Sequence, residues 1–130
     1  MTSAALCLAL AIYYEARSEP LDGQLAIAEV VINRVESDRY PDTPCDVVMQ
    51  GGTHRHKCQF SFYCDGKPER PGDMIAWHKA KDLARWVLTE QVSLGLTATH
   101  YHADYVEPFW ADHYTYLGRI GGHLFYKQSN

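Results

Sequence analysis

An apolar helical run from Ala4 to Tyr14 stops abruptly at Glu15-Ala16-Arg17-Ser18-Glu19-Pro20. That break constrains the fold more than any other stretch. Leu6, Leu10, Tyr13 and Tyr14 supply one apolar face, and Ser3 is placed to act as N-cap, so a helix is expected from about Ser3 to Arg17. The residue before a proline avoids the helical region, which ends the helix at Ser18-Glu19-Pro20. Glu15 is left at the edge of an apolar segment. Desolvation there raises a carboxyl pKa, and a raised carboxyl is what a general acid near neutral pH requires. The ordinary alternative is a solvated last turn in which Glu15 pairs with Arg17.

A second helix is expected from Leu21 or Asp22 to Glu36, with Leu25, Ala28, Val31, Ile32 and Val35 as its buried stripe. Gly23 near its start calls for close packing or ligand approach. Asn33 reads as a structural amide. Arg39 to Pro44 is a turn-rich connector, and Cys45 to Gln50 has room for one short helical turn before Gly51-Gly52. His54 to Asp73 is irregular around an extended Gln59–Tyr63, closed by Asp65-Gly66. A third long helix is expected from Asp73, its N-cap, to Ser93, stopped by Gly95. Its apolar face is Ile75, Ala80, Leu83, Ala84, Val87, Leu88 and Val92, extended by Trp77 and Trp86.

After Gly95 the period changes. Thr99 to His102 is extended, Tyr105 to Trp110 is an aromatic loop, and Tyr114–Arg119 and His123–Lys127 form a hairpin around Ile120-Gly121-Gly122. Helices, an irregular middle, one more helix and a small sheet make an α+β domain. The whole of residues 1–130 is expected to be one domain.

Net charge is −4, with no basic stripe, so nucleic acid is excluded as the main partner. The apolar run is too short to span a membrane. It also lacks the basic start of a signal peptide. Nine Tyr, four Phe and three Trp serve either a core or stacking platforms in a groove. Of the four cysteines, Cys7 sits mid-helix and reads as a small buried hydrophobe. A bridge is expected within Cys45, Cys58 and Cys64, its pairing open.

Three kinds of chemistry can be weighed. For acid catalysis Glu15, Glu19, Asp22 and Glu29 are available, Glu15 and Glu19 sharing a helix face if the helix continues. An ordinary glycosidase needs two carboxyls, and no second one is fixed here; Asp65 is the best distant candidate. For metal binding, His54-x-His56-x-Cys58 with Cys64 is ligand-rich but matches no common zinc template. His100 and His102 would share one face of a strand. Cysteine nucleophile, phosphate-loop and dinucleotide motifs are all missing.

Tyr14 to Pro20, Gly23-Gln24, Ala26, Ala28, Val31 and Asn33-Arg34-Val35 together resemble the SleB/CwlJ-type cell-wall hydrolases, the spore-cortex-lytic enzyme family. The similarity continues through Tyr40-Pro41, Cys45, Val47-Val48, Gln59-Phe60-Ser61 and Asp65-Gly66. It resumes at Ala98 to His102, Tyr105-Val106, Pro108, Trp110-Ala111, Ile120-Gly121, His123 and Phe125-Tyr126. The resemblance implies a lysozyme-like fold, similar to resuscitation-promoting-factor domains, with a groove between a helical part and a small antiparallel β part. It implies cleavage of peptidoglycan between N-acetylmuramic acid and N-acetylglucosamine by a lytic transglycosylase, with Glu15 as its single acid and base. Gln59, Ser61, Tyr101, His102 and Trp110 are then expected to line the groove. No cofactor or metal is implied. The expected partner is the glycan strand of the wall, with no nucleic acid or membrane partner and a monomeric enzyme. The two alternatives are a metal-dependent amidase or peptidase and a non-catalytic glycan-binding domain. A leaderless chain without a wall-binding module is expected to be a phage-borne lysin, released through a holin to reach the wall, or a trimmed catalytic domain.

Overall fold

The computed structural model describes residues 1–50 and 71–128. In chain order it contains helix α1 (Ser3–Ala16), α2 (Leu21–Val35), a short α3 (Pro44–Val48), α4 (Met74–Glu90), strand β1 (His100–Ala103), a 3-10 turn (Phe109–Asp112), β2 (Thr115–Ile120) and β3 (His123–Lys127). The expected α+β order is present. The strands form one antiparallel sheet in the order β1-β3-β2. No described helix is long and apolar enough to cross a membrane.

Helix starts follow the capping chemistry, with one shift. The N-cap of α1 is Thr2, whose side chain accepts from the Ala5 amide at 3.1 Å, so Ser3 is the first helical residue. Asp73 caps α4 as expected, accepting from Ala76 at 3.1 Å. Thr43 caps α3, with Pro44 in the first turn where its missing N–H costs nothing.

Helix α2 departs most from a simple amphipathic pattern. Leu25, Ala28 and Val31 join α1, α3 and α4 in one apolar cluster with Leu8, Ile12, Val47, Leu83 and Val87. Ala26, Ile27 and Val30 on its other side join Ala16, Ala98 and Phe125 in a second cluster that ties helices to sheet. The central helix is thus buried on two sides, where the expected stripe accounted for one.

Three further expectations are corrected. Cys7 is bonded to Cys45, joining α1 to α3 across a separation of 38 residues. It is buried because a bridge holds it there, and Cys45 is unavailable to Cys58 or Cys64, which lie outside the described residues. The α4 helix ends at Glu90, short of Ser93, because Gln91 takes a left-handed conformation (φ 53°) and the next amides find acceptors elsewhere. Ile75 is 74% exposed and Trp86 is exposed, so neither belongs to the core face; Ala80, Leu83, Ala84 and Val87 do.

Those acceptors come from α2. The Glu29 carboxylate, itself buried, accepts from Ser93 Oγ at 2.5 Å, the Leu94 amide at 2.9 Å and the Leu96 amide at 3.0 Å. Asn33 Nδ2 donates to the Leu96 and Ala98 carbonyls at 2.9 and 2.8 Å, the structural role expected of it. Arg34 Nε donates to the Thr99 carbonyl at 2.7 Å. Polar side chains of one buried helix therefore lay down the strap that leads into β1.

Candidate active site

Glu15 occupies the last turn of α1. It lines an open pocket of about 470 Å³ with Tyr14, Arg34, His100, Tyr101, His102, Ala103, Tyr105, Trp110 and His123. The floor comes from α1 and α2, the wall from β1, the loop after it and the first residue of β3. Of the expected groove residues, Tyr101, His102 and Trp110 are brought to Glu15; Gln59 and Ser61 lie outside the described residues. Arg34, His100 and His123 were missed as pocket residues. The first was hidden inside a helix, and the histidines were weighed only as metal ligands or as sequence similarity.

Burial pushes the Glu15 carboxyl above its ordinary value, and a hydrogen bond from the Tyr101 hydroxyl opposes part of that rise. The negative end of the α1 dipole acts in the same direction as burial. No Arg or Lys among the described residues forms an ion pair with Glu15. Arg17 instead stacks over the Tyr13 ring at 4.6 Å. Arg34 is held under the Tyr40 ring at 5.0 Å as well as at the Thr99 carbonyl. Tyr101 is half-buried, and both desolvation and the neighbouring Glu15 charge hold its hydroxyl well above the usual phenol range, so it remains a donor.

The opposite wall is an aromatic stack. Trp110 lies against Tyr114 at 5.5 Å and meets the His100, His102 and Tyr126 rings edge-on at 5.1, 5.7 and 5.2 Å. His102 Nε2 sits 3.0 Å from the Tyr126 hydroxyl. Burial, aided by the Arg34 charge, lowers the His100 pKa to about 4, so the ring is neutral near pH 7. His100 and His102 do share a strand face, but that face is packed with rings. No described group of three His, Cys, Asp or Glu is arranged to hold a metal ion; His54, His56 and Cys58 lie outside the described residues.

Glu19 lies off the pocket floor and has a structural task. Its Oε1 accepts from the Gly122 amide at 2.6 Å, and its Cβ stands 3.0 Å from where a Cβ on Gly23 would be. A side chain on Gly121, which has φ 58°, would run into the same carboxylate. Glycine at these positions thus lets the α1–α2 turn grip the β2–β3 turn. His123, beside this contact with Nδ1 3.9 Å from Glu19, meets the Tyr101 ring edge-on at 5.2 Å.

The cell wall hydrolase family profile (Hydrolase_2) matches residues 18–126, beginning just past Glu15. The chain belongs to the cell wall hydrolase family. It is 28% identical to a spore cortex-lytic enzyme of Oceanobacillus iheyensis over 92% of its length, and 30% identical to one of Halalkalibacterium halodurans over 91%. It spans only 40% and 33% of those two relatives. Its fold matches the catalytic domain of the germination-specific lytic transglycosylase SleB from Bacillus anthracis with a TM-score of 0.73 and 27% identity. That match covers 98% of this chain and 97% of the other. The SleB catalytic domain of Bacillus cereus follows at 0.69 and 26%, covering 97% and 91%. These family relatives are spore cortex-lytic enzymes, and none supports the expected phage origin and holin release.

Proposed function

We propose that this chain cleaves the glycosidic bond between N-acetylmuramic acid and N-acetylglucosamine in peptidoglycan as a lytic transglycosylase, with Glu15 as its single general acid and base. The observation that carries the reading is a desolvated carboxyl of raised pKa that is the one carboxylate among the described residues lining the pocket. Protonated Glu15 gives its proton to the glycosidic oxygen as the bond to the muramic C1 breaks. The resulting carboxylate then takes the proton of the same sugar's C6 hydroxyl as that oxygen bonds to C1. The anhydro ring closes, no water is consumed and the acid is restored. Because the attack is intramolecular, effective concentration replaces a second carboxylate and its bound water. Likeness to the SleB catalytic domain supports the same reaction class.

In this reading residues 1–130 act as one catalytic unit, as a monomer, on glycan strands. Tyr101 orients Glu15, while His102 and Trp110 offer a hydrogen-bonding edge and an apolar face to the sugars. The Cys7–Cys45 bridge supports action outside a reducing cytosol. Digestion of purified sacculi followed by mass spectrometry of the fragments tests the reading. Anhydro-muramic ends are expected, and Glu15→Gln should lower the rate at least about 100-fold while remaining folded. Hydrated reducing ends would refute the transglycosylase chemistry, and a fully active Glu15→Gln would refute the site.

A further inference from the structure

The loop between β1 and the 3-10 turn carries two aromatic side chains that no packing explains. Tyr105 is 86% exposed and Phe109 is 85% exposed. Large apolar groups gain free energy by leaving water, so two rings presented this openly on one short loop invite a partner.

The loop is firmly held. The Asp104 amide donates to the Gly122 carbonyl at 2.9 Å and the Val106 amide to the Ala103 carbonyl at 3.1 Å. Arg119 clamps the Asp104 carboxylate at 2.5 Å. Pro108 is extended, and Phe109 opens the 3-10 turn whose next residue, Trp110, is wedged into the aromatic wall. Both rings are therefore displayed from a fixed backbone, which reduces the ordering cost of binding. Tyr105 also lines the pocket that holds Glu15, and Phe109 directly precedes Trp110, which lines it too, so the display adjoins the candidate active site.

We infer that Tyr105 and Phe109 form a sugar-stacking platform that extends the Glu15 pocket and takes further saccharides of the same glycan backbone beyond the bond being cut. The inference rests on the proposed function. Three features favour a glycan over a protein. The ligand of the pocket is a polymer that must leave it in both directions. Pyranose rings present apolar C–H faces that suit aromatic faces, with hydroxyls left in water. Two rings expose at most about 300–500 Å², well below the roughly 800 Å² per partner of a stable protein interface.

The test uses the full chain carrying Glu15→Gln, so that ligands are bound without being cut. Calorimetry compares glycan oligosaccharides of alternating N-acetylglucosamine and N-acetylmuramic acid, four and eight sugars long. The eight-sugar ligand is expected to bind roughly tenfold tighter, and Tyr105→Ala with Phe109→Ala should abolish that gain. Tyr105→Trp should preserve it, which separates stacking from a damaged loop; the melting temperature of each variant verifies folding. Binding of both ligands with a length gain untouched by the double substitution overturns the platform and leaves the proposed function standing. Failure of both ligands to bind any variant overturns both. A concentration-dependent dimer that the same substitutions dissociate also overturns the platform, because the rings would then be covering one another.

Discussion

Tyr101 touches Glu15, the carboxyl on which the proposed chemistry rests, and its hydroxyl has an unambiguous electrostatic effect. A donor aimed at a carboxylate favours the ionised form, so this bond lowers the Glu15 pKa against the larger effect of burial. Only protonated Glu15 can act as the acid. Activity should therefore decline as pH rises through its pKa. Tyr101→Phe removes the opposing bond and leaves the burial, so the pKa moves further up. The alkaline limb of the kcat/KM profile on soluble glycan strands should shift to higher pH, while the plateau falls because the carboxyl loses its orienting contact. A limb that stays in place or moves down would show that the phenol does not tune the acid. At this scale the sequence was informative about Glu15, because an apolar run ending in a carboxylate already implies desolvation. It could not show that the hydroxyl of residue 101 reaches it, since the alternation of a strand fixes a face and not a partner in another element. Tyr101 was expected to line the groove; it does line the pocket, and it also bonds to Glu15.

Helix α2 organises the molecule by what its polar residues hold. Glu29 satisfies the Leu94 and Leu96 amides and the Ser93 hydroxyl, all of which would otherwise be left without this acceptor. Ser93 and Leu94 are exposed and can turn to water, whereas Leu96 is partly buried, and an unpaired buried donor costs about 1–3 kcal/mol. Glu29→Ala should therefore lower stability by roughly 1–2 kcal/mol and the melting temperature by about 5 °C. Glu29→Gln, which keeps one acceptor oxygen, should lose less; scanning calorimetry of both variants checks the order. The same residue explains why α4 stops early. Leu88, Val92 and the Gly95 stop predicted helix to Ser93, yet Gln91 turns left-handed and the strap amides bond across to α2. Local periodicity carries no record of such long-range competition. The start of α4 was easier to read than its end, because Asp73 caps through a bond only three residues long. The hairpin was equally local: Gly121 supplies the positive φ its turn needs, and β2 and β3 pair around it.

Across the whole molecule, the Cys7–Cys45 bridge closes a 38-residue loop that contains α1's end and all of α2. Constraining the unfolded chain in this way is worth about 2–4 kcal/mol. The Cys7→Ser, Cys45→Ser variant should melt about 10 °C lower than the oxidised protein. Wild-type protein in reducing agent should behave similarly, and equal melting temperatures would show that the bridge is dispensable. Its pairing was illegible in the sequence. A cysteine in mid-helix looks like core, and only the packing of α3 on α1 brings position 45 beside it. Overall architecture, by contrast, followed from the order of apolar periods alone.

The grip of Glu19 on Gly122 has a consequence in time. Glu15 and Glu19 are synthesised 86 and 103 positions before Tyr101 and Gly122, the residues that bond to them. Helices α1 and α2 can pair while the chain is still growing. The wall that completes the pocket does not exist until the hairpin has emerged and closed on a carboxylate 103 positions earlier. A nascent or truncated chain therefore carries Glu15 without its enclosure until β3 has emerged.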